Sequence, residues 1–120
     1  MGNMVLAMGR KAFDPASLFA SLSSPPKREG YREGDVLLTQ GDTAEDLFYI
    51  EQGAVKETYT SKEGKERIIA IIKPREFFGT ECITGANKLR TTSIAIMDCV
   101  VLRIEKEPMI EALYSDSRIA

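Results

Sequence analysis

Short apolar runs, broken at close intervals by turn residues, fill most of the chain from residue 27 onward. Seven runs are rich in the Val, Ile, Thr, Tyr and Phe residues that favour β-strands, and they cover residues 28–31, 36–40, 46–51, 54–61, 67–73, 90–97 and 99–105. Glycine marks several of the turns between them, at Gly34, Gly41, Gly53 and Gly64. Many short strands separated by such turns predict an antiparallel β-sandwich or barrel.

Two of the predicted strands have patterns that indicate their surroundings. Residues 68–72, with sequence IIAII, are apolar on both faces, which predicts a central strand. Residues 100, 102 and 104 are apolar and alternate with Val101, Arg103 and Glu105. We therefore expect that one face of this last strand points inward.

Helices are predicted on both sides of the strand-rich region. Asp14 followed by Pro15 is typical of a helix start, because aspartate caps free N–H groups and proline fits the first turn. Near the other end Pro108 suits a first turn, and an apolar stripe follows at Met109, Ile110, Leu113 and Tyr114. We expect a flexible segment over residues 1–13 and one domain over residues 14–120. No stop signal follows the last helix, so we expect a truncated chain.

Composition and charge exclude several classes of function. The chain has 120 residues and a net charge of -2, with a pI of about 5.2, whereas a domain that binds nucleic acid by itself is expected to be basic. It has no histidine, and Cys82 and Cys99 fit no disulfide framework or metal motif. No apolar run exceeds five residues, so we predict no membrane span. We expect a cytoplasmic protein without a metal, a cofactor or an enzymatic activity.

The loop over residues 77–93 combines the groups of an anion-binding pocket. Phe77 and Phe78 end a strand-like run, and Gly79 opens what reads as one helical turn. Arg90 stands at the head of the next strand, with the hydroxyls of residues 91–93 beside it. Free N–H groups at a helix start, a facing cation and hydroxyls together favour an anion. This pattern predicts an anion pocket.

Four segments, in this order, resemble the cyclic nucleotide-binding domain, and most closely that of the bacterial Crp/Fnr transcription regulators. They are residues 31–42 (YREGDVLLTQGD), 47–56 (LFYIEQGAVK), 77–79 (FFG) and 90–93 (RTTS). The resemblance covers roughly residues 14–115. It implies a mainly β fold: an antiparallel, double-stranded jelly-roll β-barrel of eight strands, with short flanking helices at both ends and one in the phosphate-binding cassette.

The resemblance also implies a ligand, partners and a site. The ligand is a cyclic nucleotide, with cyclic AMP as the candidate, and the full-length parent is a homodimer that contacts DNA through a domain absent from this chain. Arg90 pairs with the phosphate, Thr91 adds a hydroxyl contact, and Gly79 lets the backbone approach the ligand. The implied ligand-binding residues are Gly79, Thr80, Glu81, Cys82, Arg90 and Thr91.

The sequence departs from the family pattern in the ribose-binding half of the cassette. A glutamate that holds the ribose 2′-hydroxyl usually follows the glycine, but this chain has Thr80 there and Glu81 one residue later. One residue on a helix is a rotation of about 100°, so Glu81 is not expected to take the same place. A second hypothesis therefore stays open: a degenerate cassette that binds no nucleotide, on a dimerisation or protein-interaction module. A cupin-like enzyme is disfavoured, because it needs histidines for its metal.

Overall fold

Two four-stranded sheets and three short helices make up the part of the chain that the computed structural model describes, residues 14–115. The helices are α1 (Pro15–Ser21), α2 (Glu81–Thr84) and α3 (Lys106–Ser115). The strands are β1 (Lys27–Tyr31), β2 (Val36–Leu38), β3 (Asp46–Gln52), β4 (Val55–Thr60), β5 (Glu66–Ile72), β6 (Phe77–Phe78), β7 (Thr92–Ala95) and β8 (Cys99–Glu105). All seven strands predicted from the hydrophobic pattern are present, and β6 is the eighth.

The strand order is that of a jelly roll. The first sheet has the order β1-β8-β3-β6 and the second has the order β2-β7-β4-β5. Every pairing is antiparallel. Among the described strands no pairing joins the two sheets, so they face each other without closing into a continuous barrel. The predicted mainly β jelly-roll fold is confirmed in this open form.

One apolar core lies between the two sheets. Phe48 and Ile50 of β3 and Val101 of β8 pack there against Val55 of β4 and Ala95 of β7. All five side chains are almost completely buried. Because successive strand residues point to opposite faces, these positions fix which face of each sheet is turned inward.

A second core lies between the first sheet and the helices. Leu18 of α1 and Met109 of α3 pack there with Leu102 and Ile104 of β8. Strand β8 is therefore buried on both faces, one by the second sheet and the other by the helices. The predicted inward face of this strand, with Leu102 and Ile104, is confirmed, and the opposite face is buried as well, which the alternating pattern does not reveal.

Strand β5 is at an edge of the second sheet, so the prediction of a central strand over residues 68–72 is wrong. It pairs with β4 and with no other described strand. Ile68, Ile69 and Ile71 are 60, 58 and 43% exposed. The isoleucines of this run therefore satisfy the preference of β-branched residues for extended backbone without being buried.

Both helices predicted at the ends of the strand-rich region are present, but one residue assigned to the apolar stripe of the second helix is not buried. The Asp14 carboxylate accepts a hydrogen bond from the Ala16 amide at 3.2 Å, and Pro15 is the first helical residue. Helix α3 begins at Lys106, and Tyr114, predicted to belong to its apolar stripe, is 62% exposed instead. The segment predicted to be flexible, residues 1–13, lies outside the described residues. Within residues 14–115 no helix has the length and apolarity needed to cross a membrane.

Candidate functional site

The cassette begins where β6 ends, at a glycine with left-handed backbone. Phe78, the last residue of β6, is buried and stacks on Phe48 with ring centroids 5.1 Å apart. Gly79 follows with φ of 70°, and a Cβ atom there would lie 2.7 Å from Cδ1 of Leu38. Residues other than glycine rarely adopt this conformation. Gly79 is thus required by the turn itself.

Helix α2 is a single turn between two special backbone positions. Thr80 precedes it as the N-cap residue, and its hydroxyl makes no capping hydrogen bond. Gly85 ends the helix with φ of 95°, in the left-handed conformation that commonly terminates helices. Cys82 and Ile83 are buried in the core between the first sheet and the helices, and this packing holds the helical turn in place.

Cys82 is a buried structural residue. Its thiol donates a hydrogen bond to the carbonyl oxygen of Gly79 at a sulfur–oxygen distance of 3.6 Å. Burial raises the pKa of the Cys82 thiol to about 11. The side chain is therefore a neutral thiol under ordinary conditions, and only the backbone of this residue is left to face a ligand.

Glu81 closes the cassette loop. Its Oε2 atom accepts a hydrogen bond from the backbone N–H of Arg90 at 2.9 Å. This contact joins the first residue of α2 to the entrance of β7. The loop between them is also fastened to the β2–β3 connection, because the Leu89 amide donates to the Asp42 carbonyl and the Gly41 amide donates to the Leu89 carbonyl, each at 2.9 Å.

Arg90 and Thr91 lie next to each other in sequence but in different surroundings. The Arg90 side chain is exposed, and within residues 14–115 its guanidinium has no hydrogen bond or ion pair. Thr91 is buried, and its hydroxyl donates a hydrogen bond to Oε2 of Glu57 at 2.9 Å. At the start of β7 the structure therefore has an exposed guanidinium, that of Arg90, next to the Thr91 hydroxyl, which is hydrogen-bonded to Glu57.

Glu57 is the residue of this site that sequence reasoning missed. It lies on β4 directly opposite Ser93 of β7 and Ala70 of β5. Burial raises the pKa of its carboxyl group, and the nearby charge of Glu81 raises it further, although the hydrogen bond from Thr91 opposes both effects. The available signal was its spacing of two from the inward-facing Val55, which places both side chains on the same face of the strand.

The family model described as the cyclic nucleotide-binding domain matches residues 28–116 of this chain. The chain belongs to this family. The match begins within β1 and extends through the whole cassette, so it covers both sheets as well as the loop that carries the predicted site.

Curated relatives of two kinds are similar to the chain. The cyclic AMP receptor protein of Thermus thermophilus is 27% identical over 81 residues, which is 68% of this chain and 38% of the receptor. The potassium channel SKOR of Arabidopsis thaliana is 27% identical over 94 residues, which is 75% of this chain and 11% of the channel. The chain thus spans well under half the length of either relative.

Solved structures of transcription regulators share the fold. The catabolite activator protein of Thermus thermophilus has a TM-score of 0.75 at 24% identity, over 88% of this chain and 49% of that one. The sensor domain of the regulator DNR from Pseudomonas aeruginosa has a TM-score of 0.77 at 16% identity, over 98% of this chain and 75% of that one. The predicted resemblance to the Crp/Fnr regulators is confirmed.

A second charged cluster in this cyclic nucleotide-binding domain lies next to the cassette glycine, because a Cβ atom on Gly79 would lie 3.5 Å from the Asp46 carbonyl oxygen and 3.7 Å from the Phe48 ring. Arg103 on β8 donates to Glu29 at 3.0 Å and to Asp46 at 3.2 Å, and its guanidinium stacks 4.9 Å from the ring centroid of Phe48. Burial lowers the pKa of Arg103, but the hydrogen bonds to Glu29, Asp46 and Tyr31 outweigh it and raise the pKa overall. This arginine is saturated with partners, so its role is to join β1, β3 and β8.

A cleft of about 200 Å³ opens beside this cluster and is lined by Leu37, Leu38, Thr39, Asp42, Thr43, Glu45, Asp46, Leu89 and Arg103. None of the six predicted site residues lines it. Within residues 14–115 no group of three or more His, Cys, Asp or Glu side chains has metal-binding geometry. The candidate site is the cassette surface between α2 and β7, which presents the exposed Arg90 side chain, and the cleft adjoins this surface at Leu89.

Proposed function

We propose that this domain is the cyclic nucleotide sensor of a bacterial transcription regulator, with cyclic AMP as the candidate ligand. Three features of the cassette support this proposal: the glycine turn at Gly79, the loop closed by the Glu81–Arg90 contact, and the Arg90 guanidinium, which has no partner among residues 14–115. An exposed arginine with five N–H donors fits the two free oxygens of a cyclic phosphate.

The cassette residues take different parts in this proposal. Arg90 pairs with the phosphate, and the backbone around Gly79 and Thr80 approaches it closely because no Cβ stands in the way. Glu81 holds the loop in its closed form. The Thr91 hydroxyl donates a hydrogen bond to Glu57, so in this arrangement it orients that carboxylate and does not contact the phosphate. Cys82 supports the turn from within the core.

Regulation in the parent protein follows from the position of α3. This helix packs on the first sheet next to α2, with Met109 and Leu113 in the same core cluster as Cys82 and Ile83. A ligand that changes the cassette would alter this packing, provided that it binds one arrangement of the helices better than another. In the proposed parent, a homodimer, DNA is contacted through a separate domain.

The test is calorimetric titration of the chain with cyclic AMP and cyclic GMP, in the unchanged protein and in Arg90→Ala. Loss of a charge-assisted contact is expected to weaken binding about ten- to a hundred-fold. Arg67→Ala is the matched control, because Arg67 is an exposed arginine on the edge strand β5, and it is expected to leave binding unchanged. Equal affinity of Arg90→Ala and the unchanged protein would refute the role of Arg90.

Two observations favour the second candidate, a degenerate cassette on a protein-interaction module. Glu57 and Glu81 place two carboxylates at the proposed phosphate site, and the edge strand β5 exposes an apolar surface. Its test is Thr80→Glu combined with Glu81→Gly, which restores the usual family pattern. Under this candidate the unchanged chain shows no shift of Tm with saturating cyclic AMP and the double variant does. A shift in the unchanged chain would eliminate it.

A further inference from the structure

A half-buried carboxylate, that of Glu57 on β4, contacts the cassette loop and is not one of the six predicted site residues. Glu57 extends from β4 toward Thr91, whose hydroxyl lies 2.9 Å from its Oε2 atom. Its cross-strand neighbour Ser93 is also buried. The register of β4 against β5 shifts between Glu57 and Thr58. The extra residue of this irregularity is Ile69 of β5, whereas β4 pairs with β7 in unbroken register, so Glu57 lies on the same inward face as Val55.

The Glu57 carboxylate has unused hydrogen-bonding capacity. Within residues 14–115 its one hydrogen bond is the one from Thr91, and no cation pairs with it. An ionised carboxylate has about four acceptor positions, and leaving them unfilled in a half-buried place is unfavourable. The Glu57 carboxylate is therefore able to accept further hydrogen bonds from a bound ligand.

Glu81, the other carboxylate of the cassette, is differently engaged. Its Oε2 atom holds the backbone N–H of Arg90, and turning it toward a ligand would open the loop. The two glutamates are close enough to repel each other, which contributes to the raised pKa of Glu57. Of the two, Glu57 is the acceptor that a ligand reaches without undoing the cassette.

The chemistry of the ligand, which rests on the proposed function, decides which group Glu57 meets. In a 3′,5′-cyclic nucleotide the phosphate occupies the 3′ and 5′ oxygens, so the 2′-hydroxyl is the one free hydroxyl of the sugar, on the carbon next to the phosphate ester. Glu57 contacts Thr91, directly beside Arg90. We propose that Glu57 is a specificity-determining residue that accepts a hydrogen bond from the ribose 2′-hydroxyl.

The experiment compares cyclic AMP with 2′-deoxy cyclic AMP, which differ by this hydroxyl alone. The ratio of their dissociation constants is measured by calorimetry in the unchanged chain, in Glu57→Gln and in Glu57→Val. Repulsion between Glu57 and the phosphate affects both ligands equally, so it cancels in the ratio. A hydroxyl bonded to a charged acceptor is expected to favour cyclic AMP about ten- to a hundred-fold in the unchanged chain.

Variants of Glu57 and Glu81 are expected to change the ratio of dissociation constants differently. The ratio is expected to fall to a few-fold in Glu57→Gln, whose amide is a weaker acceptor, and close to one in Glu57→Val, which suits a strand but accepts nothing. Glu57→Gln is nearly isosteric, so it serves alone if Glu57→Val does not fold. Glu81→Gln loosens the loop and is expected to weaken both ligands alike, with the ratio preserved.

Four results would overturn the inference. A ratio near one in the unchanged chain, or a ratio that Glu57→Gln leaves unchanged, contradicts the role of Glu57 while the proposed function stands. A ratio that falls in Glu81→Gln instead assigns the hydroxyl to Glu81. Absence of binding by both ligands in the unchanged chain refutes the proposed function and this inference together.

Discussion

Gly53 joins β3 to β4, and its substitution by alanine tests the packing that sets the register of β4. Gly53 has φ of 88°, and a Cβ atom there would lie 2.4 Å from the Asp98 carbonyl oxygen and 2.8 Å from Sγ of Cys99. The first of these atoms belongs to the backbone, so the clash cannot be relieved by a side-chain rotation alone. The β3–β4 and β7–β8 turns must move apart.

The expected cost has two parts. A left-handed backbone costs a residue other than glycine about 1–2 kcal/mol, and overpacking adds about 1–3 kcal/mol. Gly64, in the β4–β5 turn, has φ of 84° and no atom within 4 Å of the corresponding Cβ, so Gly64→Ala incurs the first cost alone. The two variants are therefore expected to differ by the overpacking part.

The assay is urea unfolding followed by circular dichroism, with both variants and the unchanged chain at one protein concentration. The free energy of unfolding of a typical domain is about 5–15 kcal/mol, so a loss of the size expected for Gly53→Ala moves the midpoint clearly at a constant slope. Equal losses in Gly53→Ala and Gly64→Ala would refute the steric reasoning, because both share the backbone cost.

Two further predictions concern groups whose pKa is shifted. Since burial raises the pKa of Cys82 to about 11, its alkylation by iodoacetamide at pH 8 is expected to be much slower in the folded chain than in urea; equal rates would contradict the buried thiol. Arg103 donates hydrogen bonds to Glu29 and so lowers the pKa of that carboxyl group. This stabilisation is present above the ordinary pKa of 4.5 and is lost as the pH falls below it. Glu29→Gln is therefore expected to lose stability at neutral pH and to flatten the acid limb of stability against pH, and an unchanged acid limb would argue against the ion pair.

The positions of the strands were predictable because their signals are local. Strand-forming residues and glycine turns occur side by side in the sequence, and all seven predicted runs form strands. The same holds for α1, where Asp14 and Pro15 specify the start through contacts within one turn. Such features depend on residues close in sequence, which a single sequence displays.

The layer that covers each strand was harder to predict, because it depends on residues far away in sequence. The run at 68–72 has the apolarity of a central strand, yet its place at the edge is set by the partners of β4. Strand β8 has a second buried face because the second sheet covers the side opposite to Leu102 and Ile104. The residues of β5 and β8 alone do not indicate which strands or helices cover them.

The loop residues of the candidate site could be proposed from the sequence, whereas Glu57 on the facing strand β4 could not. Gly79 and Arg90 stand out through their places before a helical turn and at the head of a strand. Glu57 lies 34 positions before Thr91, and in the sequence it is one charge in a mixed strand. The cross-strand pairing of β4 with β7 brings it to the cassette. The contact of the Glu81 carboxylate with the Arg90 amide, nine positions away, was missed because it depends on the path of the loop between them.

The most direct test of the proposed function is a nuclear magnetic resonance titration of the ¹⁵N-labelled chain with cyclic AMP, with adenosine as the control that lacks the phosphate. We expect saturable shifts of the backbone amide signals from Gly79 to Thr91 and of Glu57 with cyclic AMP, and no such shifts with adenosine. Unchanged amide signals at saturating cyclic AMP, or shifts confined to residues outside the cassette, would contradict the account.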